Sequence, residues 1–306
     1  MTKVFIDGSS GTTGLRINDR LSGRNDIELL SIPDELRKDI KTKTEIINSA
    51  DIVFLCLPDA AAIESVGLVK NNNTVIIDTS TAHRTLDGWT YGFPELIGTE
   101  KIKTSKRIAN PGCHASGFVA LIKPLIDNGL IKTSTLLSCF SLTGYSGGGK
   151  GMIAEYESQD INSLYLAPRQ YGLTQSHKHL KEMAKISGLE NAPIFSPIVA
   201  NFYSGMEVTV SLFKKDLIGD IDSIKTVYKS TYQNGLVKFC DNTKENGFLS
   251  ANALSGRDDM EITVHGNEDR IILVARFDNL GKGASGAAIQ NMNIVMGTDQ
   301  NKGLKI

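Results

Sequence analysis

The stretch that most limits what this chain can fold into is its first twenty residues. Lys3-Val4-Phe5-Ile6-Asp7 reads as a short strand with no polar face, and it empties into Gly8-Ser9-Ser10-Gly11-Thr12-Thr13-Gly14 and then a helix to about Leu21. A strand that is apolar throughout must be covered on both sides, which is the situation of a parallel sheet flanked by helices. A glycine-rich turn between such a strand and a helix points backbone N–H groups and a helix N-terminus at one place, where a phosphate is favoured. The spacing is G-x-x-G-x-x-G, and a plain tight turn is the competing reading. The units that follow decide between them: Ile27 to Ile32, Ile52 to Leu57 leading through Pro58-Asp59 into the helix Ala60 to Lys70, and Thr74 to Asp78 after Asn71-Asn72-Asn73. Apolar strands alternating with helices predict an α/β fold with a doubly covered parallel sheet.

In such sheets ligands sit beyond the carboxyl ends of the strands. That rule selects the glycine turn after the first strand, Leu57 and Pro58 after the third, and Ser80 after the fourth. An NAD enzyme places an acid at the end of the second strand to read the ribose. Ser31 stands there instead, followed by Arg37 and Lys38, a pairing that suits the extra 2′-phosphate of NADP(H), although a solvated loop of mixed charge has the same composition. Beyond Asp78 the pattern loosens. Arg84 in that segment is a candidate for a substrate anion, with a structural arginine as the alternative.

The chain next reaches Asn110-Pro111-Gly112-Cys113, a turn between the strand ending at Ala109 and a helix from His114 to Leu125. Cys113 thereby stands at a helix N-terminus, where unpaired N–H groups and the macrodipole favour thiolate over thiol. Most free cysteines are buried filler, and Cys56 and Cys139, inside strand-like runs, are read that way. The elbow in front of Cys113 makes it the candidate nucleophile. The four cysteines are scattered without C-x-x-C spacing, so the pattern proposes neither a disulfide framework nor a zinc site.

In the second half, the strand Thr135 to Leu142 runs into Gly144-Tyr145-Ser146-Gly147-Gly148-Gly149-Lys150, read as a mobile or closely approached backbone with Lys150 as a positive tip for phosphate. The segment Gln175 to Glu182 opens a helix continuing to about Ser187. His179 and Glu182 are three positions apart, so carboxylate and imidazole share a helical face. His179 is the preferred acid and base, His177 its competitor, and helix-start caps are the alternative for both. No third ligand supports a metal. Met206 to Phe213, Glu261 to Gly266 and Arg270 to Phe277 alternate as strands, with a helix at Ile221 to Tyr232. At 306 residues two domains are expected, and 33 basic against 34 acidic residues leave no footprint for nucleic acid or an anionic membrane. With neither a signal sequence nor a membrane span, a cytosolic address is expected.

Taken together and in order, GSSGTTG, Asp78-x-Ser80-x-Ala82-x-Arg84, Tyr91-Gly92-x-Pro94-Glu95-Leu96, Asn110-Pro111-Gly112-Cys113, Gly144-x-Ser146-Gly147-x-Gly149-Lys150, His177-x-His179 and DNLGKGASGAAIQNMN resemble the N-acetyl-gamma-glutamyl-phosphate reductases, nearest their shorter subgroup. The resemblance implies a Rossmann-like NADP-binding domain (1–112, completed by a returning helix at 284–306) and an α+β catalytic and oligomerisation domain (113–283). It implies NADPH-dependent reductive dephosphorylation of an acyl phosphate in arginine biosynthesis by a homodimer or homotetramer. Cys113 would be the nucleophile, with Asn110 and Lys150 holding phosphate or the acyl oxygen and Gly8, Ser10, Gly11, Thr12, Thr13 and Gly14 beside the cofactor. The longer subgroup has an aromatic residue and proline after its cysteine and H-R-H-x-P-E at its histidines; here His114-Ala115 follow the cysteine and Lys181 stands in the place of that last proline. A sister reductase of aspartyl phosphate or of a carrier-bound amino-acid phosphate shares the same chemical parts. A non-catalytic NADP-sensing protein is the alternative from another class.

Overall fold

In a computed structural model, residues 1–37, 39–242 and 245–306 are described. They form two compact units, one of residues 1–111 with 284–304 and one of 112–283 with 305–306. Lys38 lies outside the described residues.

The first unit runs β1 (Thr2–Asp7), α1 (Thr12–Leu21), β2 (Ile27–Leu30), α2 (Ile40–Ser49), β3 (Ile52–Leu55), α3 (Asp59–Gly67), β4 (Val75–Asp78), β5 (Thr90–Tyr91), α4 (Pro94–Ile97), α5 (Thr99–Thr104) and β6 (Arg107–Ala109). All six strands are parallel, in the order β2-β1-β3-β4-β6-β5. Side chains alternate between two cores because successive residues of a strand face opposite ways. Val4, Ile52, Phe54 and Ile77 pack with Ile17 and Leu21 on one face, while Phe5, Val53 and Ile76 pack with Ile47 and Ala62 on the other. The segment after β4, which carries no clear period in sequence, folds as the short β5, α4 and α5. Nor does apolar spacing announce α2; the Asp39 side chain caps it by accepting from the Thr42 N–H at 2.7 Å.

The second unit comprises α6 (Cys113–Asp127), β7 (Ser138–Gly144), α7 (Gly149–Tyr156), β8 (Arg169–Gln170), α8 (His179–Ser187), β9 (Ile194–Ala200), β10 (Met206–Phe213), α9 (Ile221–Thr231), β11 (Val237–Phe239), β12 (Met260–Gly266) and β13 (Arg270–Phe277). Its mixed sheet has the order β11-β12-β13-β10-β7-β9-β8. Helix α6 is buried almost all round and lies against β10 and β13. Gly117 allows that approach, since a Cβ there would come within 2.5 Å of Val208 Cγ2. Pro124 inside α6 has no N–H, which strips the Ala120 carbonyl of its helical partner. The Tyr232 hydroxyl donates to that carbonyl at 2.6 Å, and the Tyr228 hydroxyl donates to Leu121 O at 2.6 Å.

Two sequence readings change here. The strand expected from Thr135 begins at Ser138, leaving Leu136 78% exposed in the preceding turn. The glycine run is not a loose loop: Tyr145–Gly148 is a 3₁₀ turn and Gly149 starts α7. Close approach is what the glycine at 144 serves, because a Cβ would meet the Tyr203 carbonyl at 2.6 Å.

After β13 the chain makes a π-helical turn, Gly281–Ser285, and enters α10 (Gly286–Val295). Asp278 fixes the turn by accepting from the N–H groups of Leu280 and Gly281 at 2.7 and 2.9 Å. Helix α10 belongs to the first unit, where Ile289 and Met292 enter its core. Its polar residues are matched there: Asn291 donates to Gly92 O, Gln290 to Glu95, and Asn293 accepts from Arg24.

Candidate active site

In the first unit, β1 ends at Asp7 and the chain turns at Gly8, whose φ of +90° and closeness to the Cys56 carbonyl both demand glycine. Gly14 is equally confined, since a Cβ on it would run into the Gly8 carbonyl. The Gly11 N–H donates to Gly8 O at 3.0 Å, closing the turn directly before α1. Beside it a cavity of about 290 Å³ is lined by Gly8, Ser10, Ser31, Arg37 and Leu57 among the sequence-selected residues, and by Lys43 and Asp7, which sequence reasoning left out. Thr12, Thr13 and Gly14 form the first turn of α1, and Pro58 precedes α3. Ser80 is buried, its N–H and hydroxyl both donating to Asp78 at 2.9 and 2.7 Å. A glycine cradle that a Cβ would fill, a helix N-terminus behind it and two cations with a serine at the end of β2 fit the phosphates and adenosine ribose of NADP(H).

Arg84 is 8% exposed and donates to the carbonyls of Asn110 and Thr79 at 2.9 and 2.8 Å. Asn110 donates in turn to Ala284 O at 3.0 Å. These bonds brace the end of β6 and the turn that follows it.

In the second unit, Cys113 is the first residue of α6 and partly exposed. Gly112 precedes it as an extended N-cap with no side-chain cap, and its N–H donates to Glu182 Oε1 at 2.8 Å. Glu182 is 2% exposed on α8, which packs against α6, so a buried carboxylate fixes the backbone just ahead of the sulfur. The other cysteines offer no thiolate near neutrality. Burial pushes the Cys56 thiol up to about 12 and Cys139 higher still, and burial with the Glu261 charge takes Cys240 to about 11.

Three imidazoles gather at this helix start. His179 is buried at the first position of α8, and its ring centroid lies 4.9 Å from that of His177 and 5.5 Å from that of His114. The helix begins at His179, about one turn later than expected, so His177 precedes it, and the His177 Nδ1 accepts the His179 N–H at 3.2 Å. Burial and the adjacent Lys178 charge lower the His177 pKa. His114, absent from the sequence-selected residues, is 3% exposed; its Nδ1 lies 2.6 Å from Ser141 Oγ and its Nε2 2.7 Å from the Tyr171 hydroxyl. Burial, with His177 and Lys178 beside it, pushes its pKa down to about 3, so it is a neutral relay between two hydroxyls. Tyr171 is held protonated by burial and by the Cys113 charge. A histidine in the otherwise apolar face of HASGFVALIKPL was the available signal, and it was masked by the cysteine before it. Lys150 is exposed on the first turn of α7. Among the described residues no cluster of His, Cys, Asp and Glu is arranged to hold a metal ion.

A parallel sheet with a glycine cradle in one unit, and a cysteine heading a buried helix beside histidines in the other, define a semialdehyde-dehydrogenase-type protein. The family model for the semialdehyde dehydrogenase NAD binding domain matches residues 33–105, and that for the dimerisation domain matches 113–279. The chain is 42% identical over 318 residues to N-acetyl-gamma-glutamyl-phosphate reductase 2 of Nostoc sp., covering 99% of each. It is 44% identical over 305 residues to the N-acetyl-gamma-glutamyl-phosphate reductase of Sinorhizobium medicae, covering 96% of this chain and 98% of that one. The chain belongs to the N-acetyl-gamma-glutamyl-phosphate reductase family. Its fold is shared with aspartate semialdehyde dehydrogenase II of Vibrio cholerae, with a TM-score of 0.72 at 15% identity over 97% of this chain and 98% of that one. The aspartate semialdehyde dehydrogenase of Francisella tularensis gives 0.70 at 17% over 97% and 100%.

Proposed function

We propose that the chain converts N-acetyl-L-glutamyl 5-phosphate to N-acetyl-L-glutamate 5-semialdehyde and phosphate with NADPH, a reductive step of arginine biosynthesis. The observation that carries the proposal is Cys113 at the uncapped start of α6, with its backbone fixed by Glu182 and imidazoles grouped alongside. The relatives named for this reaction, matched over nearly the whole chain, support the substrate.

Cys113 attacks the acyl carbon as thiolate, favoured by the helix N-terminus, and phosphate departs to leave a thioester. Backbone N–H groups of the first turn of α6 are oriented to receive the acyl oxygen as its charge develops. Bound NADPH supplies the hydride. An imidazole protonates the resulting alkoxide and takes the proton back when the sulfur is expelled. His179 is assigned that role, because His177 spends Nδ1 on the helix start and His114 is committed to two hydroxyls. Lys150 and Asn110 are assigned to the leaving phosphate or acyl oxygen, and Arg84 to bracing the turn that carries Asn110.

Hydrophobic side chains on the open face of the second sheet, Phe140 (44% exposed), Ile194 (66%) and Ile272 (41%), support a homo-oligomer formed through that face. No helix of the described residues is long and apolar enough to cross a membrane, and this, with the enzyme class, supports a cytoplasmic location. Assay of phosphate-dependent NADP reduction with N-acetylglutamate semialdehyde and aspartate semialdehyde, side by side, tests the substrate. Cys113→Ser is expected to abolish turnover with NADPH affinity nearly intact; turnover retained in that variant overturns the proposal.

A further inference from the structure

Lys43 has no role in the sequence motifs, yet it projects from α2 into the cavity beside the glycine turn. Its Nζ lies 2.8 Å from Asp7 Oδ2, the same oxygen that accepts the Ser65 hydroxyl at 2.8 Å. Among the described residues lining the cavity, Asp7 is the one acid, and Lys43 and Arg37 are the cations. Position makes this lysine unusual. It falls at the end of the first turn of α2, behind the Asp39 cap, although the positive end of a helix disfavours a cation.

The Asp7 carboxylate would by itself repel a phosphate brought into the same cavity. Lys43 cancels that repulsion, and an ammonium has three donors, so one can remain on Asp7 while another turns to the cavity. Side-chain exposures of 20% for Lys43 and 10% for Asp7 leave the pair weakly screened. Resting on the NADP(H) reading above, we propose that Lys43 is the residue that selects the 2′-phosphate, holding it and the Asp7 carboxylate at once. Ser31, just after β2, and Arg37 line the same cavity and complete the anion site.

The probes are adenosine 2′,5′-bisphosphate and 5′-AMP, which differ only in that phosphate, titrated by calorimetry into the full chain. In Lys43→Gln the dissociation constant of the bisphosphate is expected to rise tenfold or more, while that of 5′-AMP stays within twofold. Adding Asp7→Asn to that variant is expected to recover part of the loss, because the bare carboxylate accounts for part of it. Lys43→Arg is expected to keep the preference, which separates a charge effect from a misfolded cavity. Equal weakening of both ligands in Lys43→Gln, or no weakening of the bisphosphate, overturns the inference. If the unmodified chain binds neither probe, the cofactor reading itself falls.

Discussion

Holding His114 neutral makes the second unit acid-labile in a way that can be calculated. Buried at 3% exposure, its ring has a pKa pushed from 6.5 down to about 3, with burial the largest cause and His177 and Lys178 adding to it. Below pH 6.5 the unfolded chain takes up a proton that the folded chain refuses. Stability is therefore complete above pH 6.5 and is lost as pH falls from there towards 3. Each tenfold in acidity over that window is worth about 1.4 kcal/mol, so the loss is roughly 2 kcal/mol between pH 7 and pH 5 and reaches roughly 4 kcal/mol at pH 3. A chain of two units need not unfold in one step, so hydrogen-exchange protection of the α6 amides is the suitable measure. His114→Asn removes the titrating ring while keeping a polar partner within the pocket. The unmodified chain should lose about 2 kcal/mol more α6 protection than the variant between pH 7 and pH 5. The same pH dependence in both would refute the placement of a neutral imidazole between Ser141 and Tyr171.

Glu182→Ala strands the buried Gly112 N–H and should cost about 1–3 kcal/mol in the second unit, whereas Glu182→Gln, which still offers an oxygen, should recover most of it. Equal losses by urea titration would show that charge, and not this hydrogen bond, is what Glu182 contributes. Gly8→Ala forces a side chain into φ +90° and against the Cys56 carbonyl, so the first unit should lose about 1–3 kcal/mol. NADPH affinity should fall with it, and fluorescence titration giving unchanged binding would remove the glycine turn from the cofactor site.

The parallel sheet was readable because β1 to β4 are predominantly apolar and each crossover between them carries its own turn residues. That is local information, repeated four times before residue 80. The same holds for β10 and β13, whose alternation reproduces their observed limits. Where local signals conflict with packing, packing prevailed. The glycine run 147–149 winds into helical turns, and His177 ends up as a cap for α8 instead of a member of it.

What the sequence determined by itself is the inventory: an elbow that brings a cysteine to a helix start, a glycine turn after the first strand, and the absence of an acid where Ser31 stands. What only the tertiary structure decided is which groups become neighbours across long separations. Ser141 and Tyr171 bracket His114, Glu182 reaches Gly112, and Lys43 reaches Asp7. Periodicity reports which way a side chain faces within its own element. The partner it meets, and with it the protonation state and the chemistry, depends on how elements far apart in the chain are stacked.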